Sequence, residues 1–159
     1  MPNFIHVLCR SPEPVTYAEL GDFMANMGFL DEDATFEPPL DGPAAKRHEW
    51  GMMSMRYRPD KRPIQVQHWI TQEEIQPTVA EIMERMEDND LSDDHQDIVE
   101  RLKEAKQGFE FELDAELPDD VWEMLDATEA WLCRERDGII LAHEGVFDAK
   151  LNQIFAWDD

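Results

Sequence analysis

Apolar residues near the start of the chain fall on both sides of the backbone. In Asn3–Cys9 (NFIHVLC), Phe4 and Leu8 share one face under period-two alternation, and Ile5 and Val7 share the other. A strand covered on both faces is written this way, so the segment is predicted to lie inside a sheet. After Pro12 and Pro14 the period lengthens. Thr16 and Glu19 form a capping box, Leu20, Phe23, Met24 and Met27 follow at helical spacing, and Gly28 is placed to close the helix.

Ala34–Pro38 is a short strand candidate, and Glu37–Ala45 is loop, too brief to separate two cores. Residues 48–57 (HEWGMMSMRY) and 64–70 (IQVQHWI) read as strands joined through the turn formers Pro59 and Asp60. In the second, Ile64, Val66, His68 and Ile70 face one way, and Gln65, Gln67 and Trp69 the other. Thr71 and Glu74 make another capping box ahead of Ile75, Val79, Ile82, Met83 and Met86. Pro77 has no N–H to donate, so regular helix is expected to begin near it. Ser92 then caps a second helix carrying Ile98, Val99, Leu102 and Ala105, with Gly108 as its end and an acidic turn between the two antiparallel helices.

Residues 108–117 (GFEFELDAEL) alternate, Phe109, Phe111, Leu113 and Ala115 against Glu110, Glu112, Asp114 and Glu116, which predicts a strand with one solvated face. Asp120 and Glu123 open a long helix striped by Val121, Met124, Leu125, Thr128 and Leu132, widened by Trp122 and Cys133 and stopped by Asp137 and Gly138. GIILAHE is a strand, and residues 146–159 are expected to form a short helix bearing Leu151, Ile154 and Phe155. The succession predicts an α+β fold: an antiparallel or mixed sheet with helices packed on one face, in a ferredoxin-like element order with additions, as a single domain over residues 1–159.

Composition supports a folded core. The chain has 159 residues, 42% of them hydrophobic, with five Trp and eight Phe; that length buries roughly two thirds of the surface its unfolded chain exposes. Cys9 and Cys133 are far apart in sequence, each in an apolar run, which favours a reduced, cytoplasmic setting. The N-terminus lacks the basic start and apolar run of a signal peptide, and no stretch has the length of a membrane span.

Charge narrows the partners. Thirty-seven acidic residues against fourteen basic ones leave a formal charge of -23, which repels nucleic acid and anionic lipid. It suits a basic protein partner, or a salt-rich surrounding.

Chemical motifs are sparse. The acidic turn around Asp88–Glu100 fails the calcium-loop register, because Asp93 stands where glycine is needed and Val99 where a bidentate Glu must bind. His6, His68 and His143 lie in three candidate strands and, with Glu144, would make a metal site if those strands converged on one face. Cys9 beside Arg10 is a weighed nucleophile, against the plainer reading of a small core residue. The serines lack a nucleophile elbow, and no glycine-rich phosphate loop or other cofactor motif is present.

One segment departs from the acidic background. Lys46–Pro63 holds six basic residues and two acidic ones, a local charge of +4, so the other 141 residues carry -27. As a site, it offers Arg56, Arg58 and Arg62 as forked donors to an anion, Trp50, Tyr57 and Trp69 for stacking, and His68 or His48 as proton carrier. As architecture, a basic hairpin offsets neighbouring acidic helices and blunts a sheet edge. The sequence therefore favours a non-catalytic protein of inhibitor, immunity or adaptor type docking a basic protein. The alternative is a small enzyme or binding protein for an anionic small molecule at the hairpin 46–63.

Overall fold

The apolar pattern of the first strand is realised inside an eight-stranded antiparallel sheet. The structure is a computed structural model that describes residues 3–43, 50–89, 91–114 and 116–157. Its strands are β1 (Asn3–Cys9), β2 (Thr35–Glu37), β3 (Met52–Arg56), β4 (Ile64–Trp69), β5 (Gln107–Leu113), β6 (Gly138–Ala142), β7 (Gly145–Phe147) and β8 (Gln153–Ala156). The helices are α1 (Tyr17–Asn26), α2 (Gln72–Asp88), α3 (Gln96–Lys103) and α4 (Asp119–Arg136). Strand order across the sheet is β2-β3-β4-β5-β1-β6-β7-β8.

Strand β1 pairs with β5 on one side and β6 on the other, His6 lying opposite both Glu110 and Leu141. Since each partner is antiparallel to β1, β5 and β6 run parallel to one another, and α4 carries the chain between them over β1. This is one split β-α-β unit. The sheet as a whole does not take the ferredoxin-like order expected from the succession of elements.

Helices cover both faces of the sheet, not one. Ile5, Val7 and Cys9 share a core with Met53, Met55, Val66, Phe109 and Phe111 beneath α1 and α4. Leu8, Trp69, Ile139 and Leu141 belong to a second core beneath α2 and α3, through Ile75, Ile82, Met86, Ile98 and Leu102. The correction follows from β1 itself, whose two apolar faces each need a cover. Phe109 and Phe111, fully buried, each contribute roughly 1.5–3 kcal/mol by leaving water.

Local signals place most helix ends. The Thr16 hydroxyl accepts the Glu19 N–H at 3.1 Å at the start of α1. Asp137, at φ 56°, closes α4. Helix α2 begins at Gln72, five residues before Pro77, because the Thr71–Glu74 capping box is complete: Thr71 Oγ1 accepts the Glu74 N–H at 3.3 Å, and Glu74 Oε1 accepts the Thr71 N–H at 3.2 Å. Pro77 there removes one backbone bond, to the carbonyl of Glu73, and both residues are exposed so that water replaces it.

Three further expectations change. Ser92 precedes a short 3-10 turn, Asp93–His95, before α3. That helix ends at Lys103, and Gly108 lies inside β5, where a side chain would press on Leu8 and Trp69. The chain after β6 forms the β7–β8 hairpin in place of a helix. Asp148 Oδ1 accepts the N–H groups of Lys150 and Asn152, each at 2.9 Å, turning the backbone locally before a helical bond can form. Trp157 then donates its indole N–H to the His143 carbonyl at 2.9 Å.

Candidate functional site

The basic hairpin is tied largely to its own chain. Arg58 donates to Glu32 at 2.7 Å and to both carboxylate oxygens of Asp120, at 3.0 and 3.1 Å. The hydrogen bond to Asp120 raises the Arg58 pKa further above its ordinary value. Burial alone would lift Asp120, yet the bonds it accepts from the Asp31 N–H and from Arg58 hold its pKa below the usual carboxylate value. Arg56 donates to the Lys61 carbonyl at 2.6 Å, and Arg62, with its side chain 71% exposed, stands 3.5 Å from Asp114. Lys46, Arg47 and His48 lie outside the described residues.

The aromatic candidates do not share one surface with these arginines. Tyr57 is buried in the core. Trp50 donates to the Val15 carbonyl at 2.8 Å and stacks on His68 at 4.7 Å, and Phe109 closes the other side of the imidazole at 4.8 Å. His68 Nε2 lies 3.0 Å from Gln107 Oε1. Burial lowers the His68 pKa, against the opposing pull of the Gln107 hydrogen bond. Trp69 is on the opposite face of the sheet, its ring 5.6 Å from that of His6.

The histidines also divide between faces. His6 pairs with Glu110 at 3.0 Å on the α2 side, in a groove of about 450 Å³ that includes Arg85, and Arg85 is seated 4.6 Å over the Trp157 ring. Among the described residues no group of three or more His, Cys, Asp or Glu is arranged to hold a metal. Cys9 and Cys133 are free and buried. Burial pushes the Cys9 thiol up to about 12 and the Cys133 thiol higher still, so both are small core residues in the thiol form. Among the described residues no helix is long and apolar enough to cross a membrane.

The best-formed candidate lies elsewhere, between α4 and the β1–β6–β7 end of the sheet. Trp122, Asp126 and Glu129 occupy successive turns of α4, on one side of that helix. Opposite them stand Phe4 and Ile5 of β1, Ile140 and Ala142 of β6, His143 and Glu144 of the following turn, and Phe147 of β7. The half-open space between them is about 570 Å³, within the range of small-molecule pockets. Two of the large apolar side chains left open to solvent, Phe4 at 44% and Leu151 at 41%, are in its lining.

Glu129 is the unusual group there. It is 4% exposed, and its Oε2 is buried without a hydrogen-bond partner among the described residues. Burial, and next the charge of Asp126, raise its pKa well above the ordinary glutamate value. Asp126 is exposed at the rim, and the apolar wall beside it raises its pKa also. The lining thus presents an acid that holds its proton to higher pH than an ordinary glutamate, with an aromatic and aliphatic wall and no Lys or Arg among the described residues that form it.

Glu129 is not among the site residues that the sequence motifs single out. Its position contained a signal: it stands four residues after Leu125 and four before Cys133, so a carboxyl interrupts the apolar side of the helix. These features define an α+β protein with an acid-floored cavity at one end of its sheet. No protein-family model, no curated protein and no solved structure matches the chain.

Proposed function

We propose that this chain is a non-catalytic binding protein for a small molecule, held in the cavity between α4 and the β1–β6–β7 end of the sheet. The observation that carries this reading is the buried Glu129 carboxyl, partnerless at Oε2 among the described residues and set in the wall of a space large enough for a ligand. An unsatisfied buried polar atom costs about 1–3 kcal/mol, which a ligand offering a complementary group recovers. The surrounding chemistry favours holding over turnover, since Cys133, whose pKa responds to Glu129, stays a buried thiol. The test is to fill the space with Ala142→Trp and follow ligand-induced shifts of the Trp122 indole N–H by NMR. Small aromatic probes should shift that resonance in the wild type and not in a folded Ala142→Trp protein. Equal shifts in both would end the proposal.

A second reading concerns the α2–α3 hairpin. Residues 72–104 contain twelve acidic and three basic residues, a net charge of -9. Two of the three bases are engaged internally, Arg101 with Asp97 and Asp137, and Arg85 over Trp157. Such a surface suits docking of a basic protein, with capture steered by charge. Association that fades as salt is raised supports it; absence of association at low salt refutes it.

The ion pairs of Arg58 support an architectural role for the basic hairpin, joining it to α4 and to the loop after α1.

A further inference from the structure

Resting on the small-molecule reading of this cavity, we infer that its ligand is an organic cation: an amine with an apolar or aromatic body, whose ammonium group pairs with Glu129 while Glu129 gives up its proton to solvent.

The walls carry one sign of charge. The carboxyls of Asp126, Glu129 and Glu144 all line the space, together with the Asn3 amide and His143, and the described lining includes no Lys or Arg. An anionic ligand would enter against those carboxylates and against a molecule of charge -23. A cation is drawn by both.

Shape and surface also suit an amine. Trp122, Phe4 and Phe147 are aromatic side chains in the lining, and Ile5, Leu113, Ile140 and Leu151 supply aliphatic wall. Aromatic faces take the body of an amine and attract its charge. The polar atom that lacks a partner is an acceptor oxygen once the proton leaves, and an ammonium group brings three donors and no acceptor.

Proton balance points the same way. Asp126 and Cys133 neighbour Glu129 on its own helix, His143 and Glu144 of the β6–β7 turn line the cavity with it, and Asp148, just beyond β7, acts on Cys133. Burial first, and next the charge of Asp126, oppose a negative charge on Glu129, so the carboxyl holds its proton above the ordinary glutamate range while the cavity is empty. An incoming ammonium ion reverses that preference. The O–H bond of Glu129 breaks, the proton passes to the buffer, and the ammonium and carboxylate form a charge-assisted hydrogen bond. No bond to the ligand is made or broken covalently.

The experiment uses three probes with one indole body: tryptamine (cation), tryptophol (neutral) and indole-3-acetate (anion). Calorimetric titrations at pH 7 are run in phosphate and in Tris, whose different ionisation enthalpies report protons released on binding. Tryptamine is expected to bind more tightly than tryptophol by up to about tenfold, the worth of one charge-assisted bond less the cost of ionising Glu129, with up to one proton released and indole-3-acetate not bound. Glu129→Gln should abolish the proton release and bring tryptamine and tryptophol within a few-fold of each other, while tryptophol still binds. Tryptophol binding as well as or better than tryptamine overturns the cation assignment and leaves the cavity reading standing, and tighter tryptamine binding with no proton release overturns the proton transfer from Glu129. Failure of all three probes at millimolar concentration in folded wild-type protein overturns both.

Discussion

Replacing Glu129 by Gln isolates the cost of keeping a carboxyl inside this fold. The side chain is 4% exposed, and burial first, then Asp126, raise its pKa well above 4.5. Below 4.5 the folded and unfolded chains both hold the proton, so ionisation contributes nothing to the difference between them. Above 4.5 the unfolded chain releases the proton and the folded chain retains it, so the wild type loses stability as pH rises until Glu129 itself ionises. One proton held differently is worth about 1.4 kcal/mol per pH unit. Gln is close in shape to the protonated acid and does not titrate. The two proteins are therefore expected to lie within about 1 kcal/mol at pH 4, with the variant pulling ahead by up to about 1.4 kcal/mol for each unit above 4.5 over which Glu129 keeps its proton. Urea unfolding followed by tryptophan fluorescence, repeated from pH 4 to 8, gives the difference curve. Most other titrating groups are common to both proteins and cancel. Asp126 is coupled to Glu129, and the same pair made on an Asp126→Asn background controls for it. Parallel stability curves across that range would refute the picture of a proton-holding acid at the cavity floor.

Three other outcomes follow from the geometry. Arg58→Ala strands the Asp120 carboxylate without its guanidinium, so its thermal midpoint should fall by several degrees while Arg62→Ala, at an exposed position, changes little; equal losses would count against the structural role of Arg58. The His68 ring should titrate below its ordinary value of 6.5 when followed by NMR, since burial lowers its pKa; its contribution to stability is complete above 6.5 and is lost as pH falls through 6.5 towards the folded value, and titration at or above 6.5 would contradict its enclosure between Trp50 and Phe109. Gly145→Ala places a methyl against the Phe155 carbonyl at a φ of 151°, so urea unfolding should show a loss of roughly 1–3 kcal/mol, and a neutral result would mean that the β7–β8 pairing is drawn wrongly.

Much of this fold was legible because its signals are local. Thr16 with Glu19 and Thr71 with Glu74 mark helix starts through bonds made within four residues, and the period-two runs in β1, β4 and β5 follow from backbone pleat alone. The errors came where a distant group decides. Pro77 spoke for a later start to α2, and the complete cap upstream outweighed it. Asp148 diverted the tail into a hairpin through side-chain bonds that compete with helix. The layering was misread although Leu8 in β1 and the consecutive Ile139, Ile140 and Leu141 of β6 already required two covers. The site was least legible of all. Glu129 is one of thirty-seven acidic residues, and only the packing of Phe4, Ile140 and Phe147 opposite it makes that acid unlike the rest.

The arginines give the cavity its setting. Asp120, in the first turn of α4, is fixed by Arg58, which also reaches Glu32. At the other end Arg136 donates to the Glu13 carbonyl at 2.8 Å and lies 3.4 Å from Glu19, and Asp137 accepts from Arg10 at 2.8 Å and Arg101 at 3.0 Å. The hydrogen bond from Arg10 holds the Asp137 carboxyl below its usual range. The pairs at Asp137 are partly exposed and contribute little to stability one at a time, so the effect of these arginines is better sought in geometry. They hold both ends of α4 against segments distant in sequence, with Glu129 between them over the cavity. A helix held at both ends fixes the distance between the buried acid and the facing strands, and a ligand that meets a fixed wall loses less affinity to reordering it. Relaxing one end, with Arg10→Ala and Arg101→Ala together, should thus weaken binding of an amine probe while leaving its proton release unchanged, since the clamp positions Glu129 without touching its proton. Loss of proton release in that variant would show that the two arginines act on the acid itself.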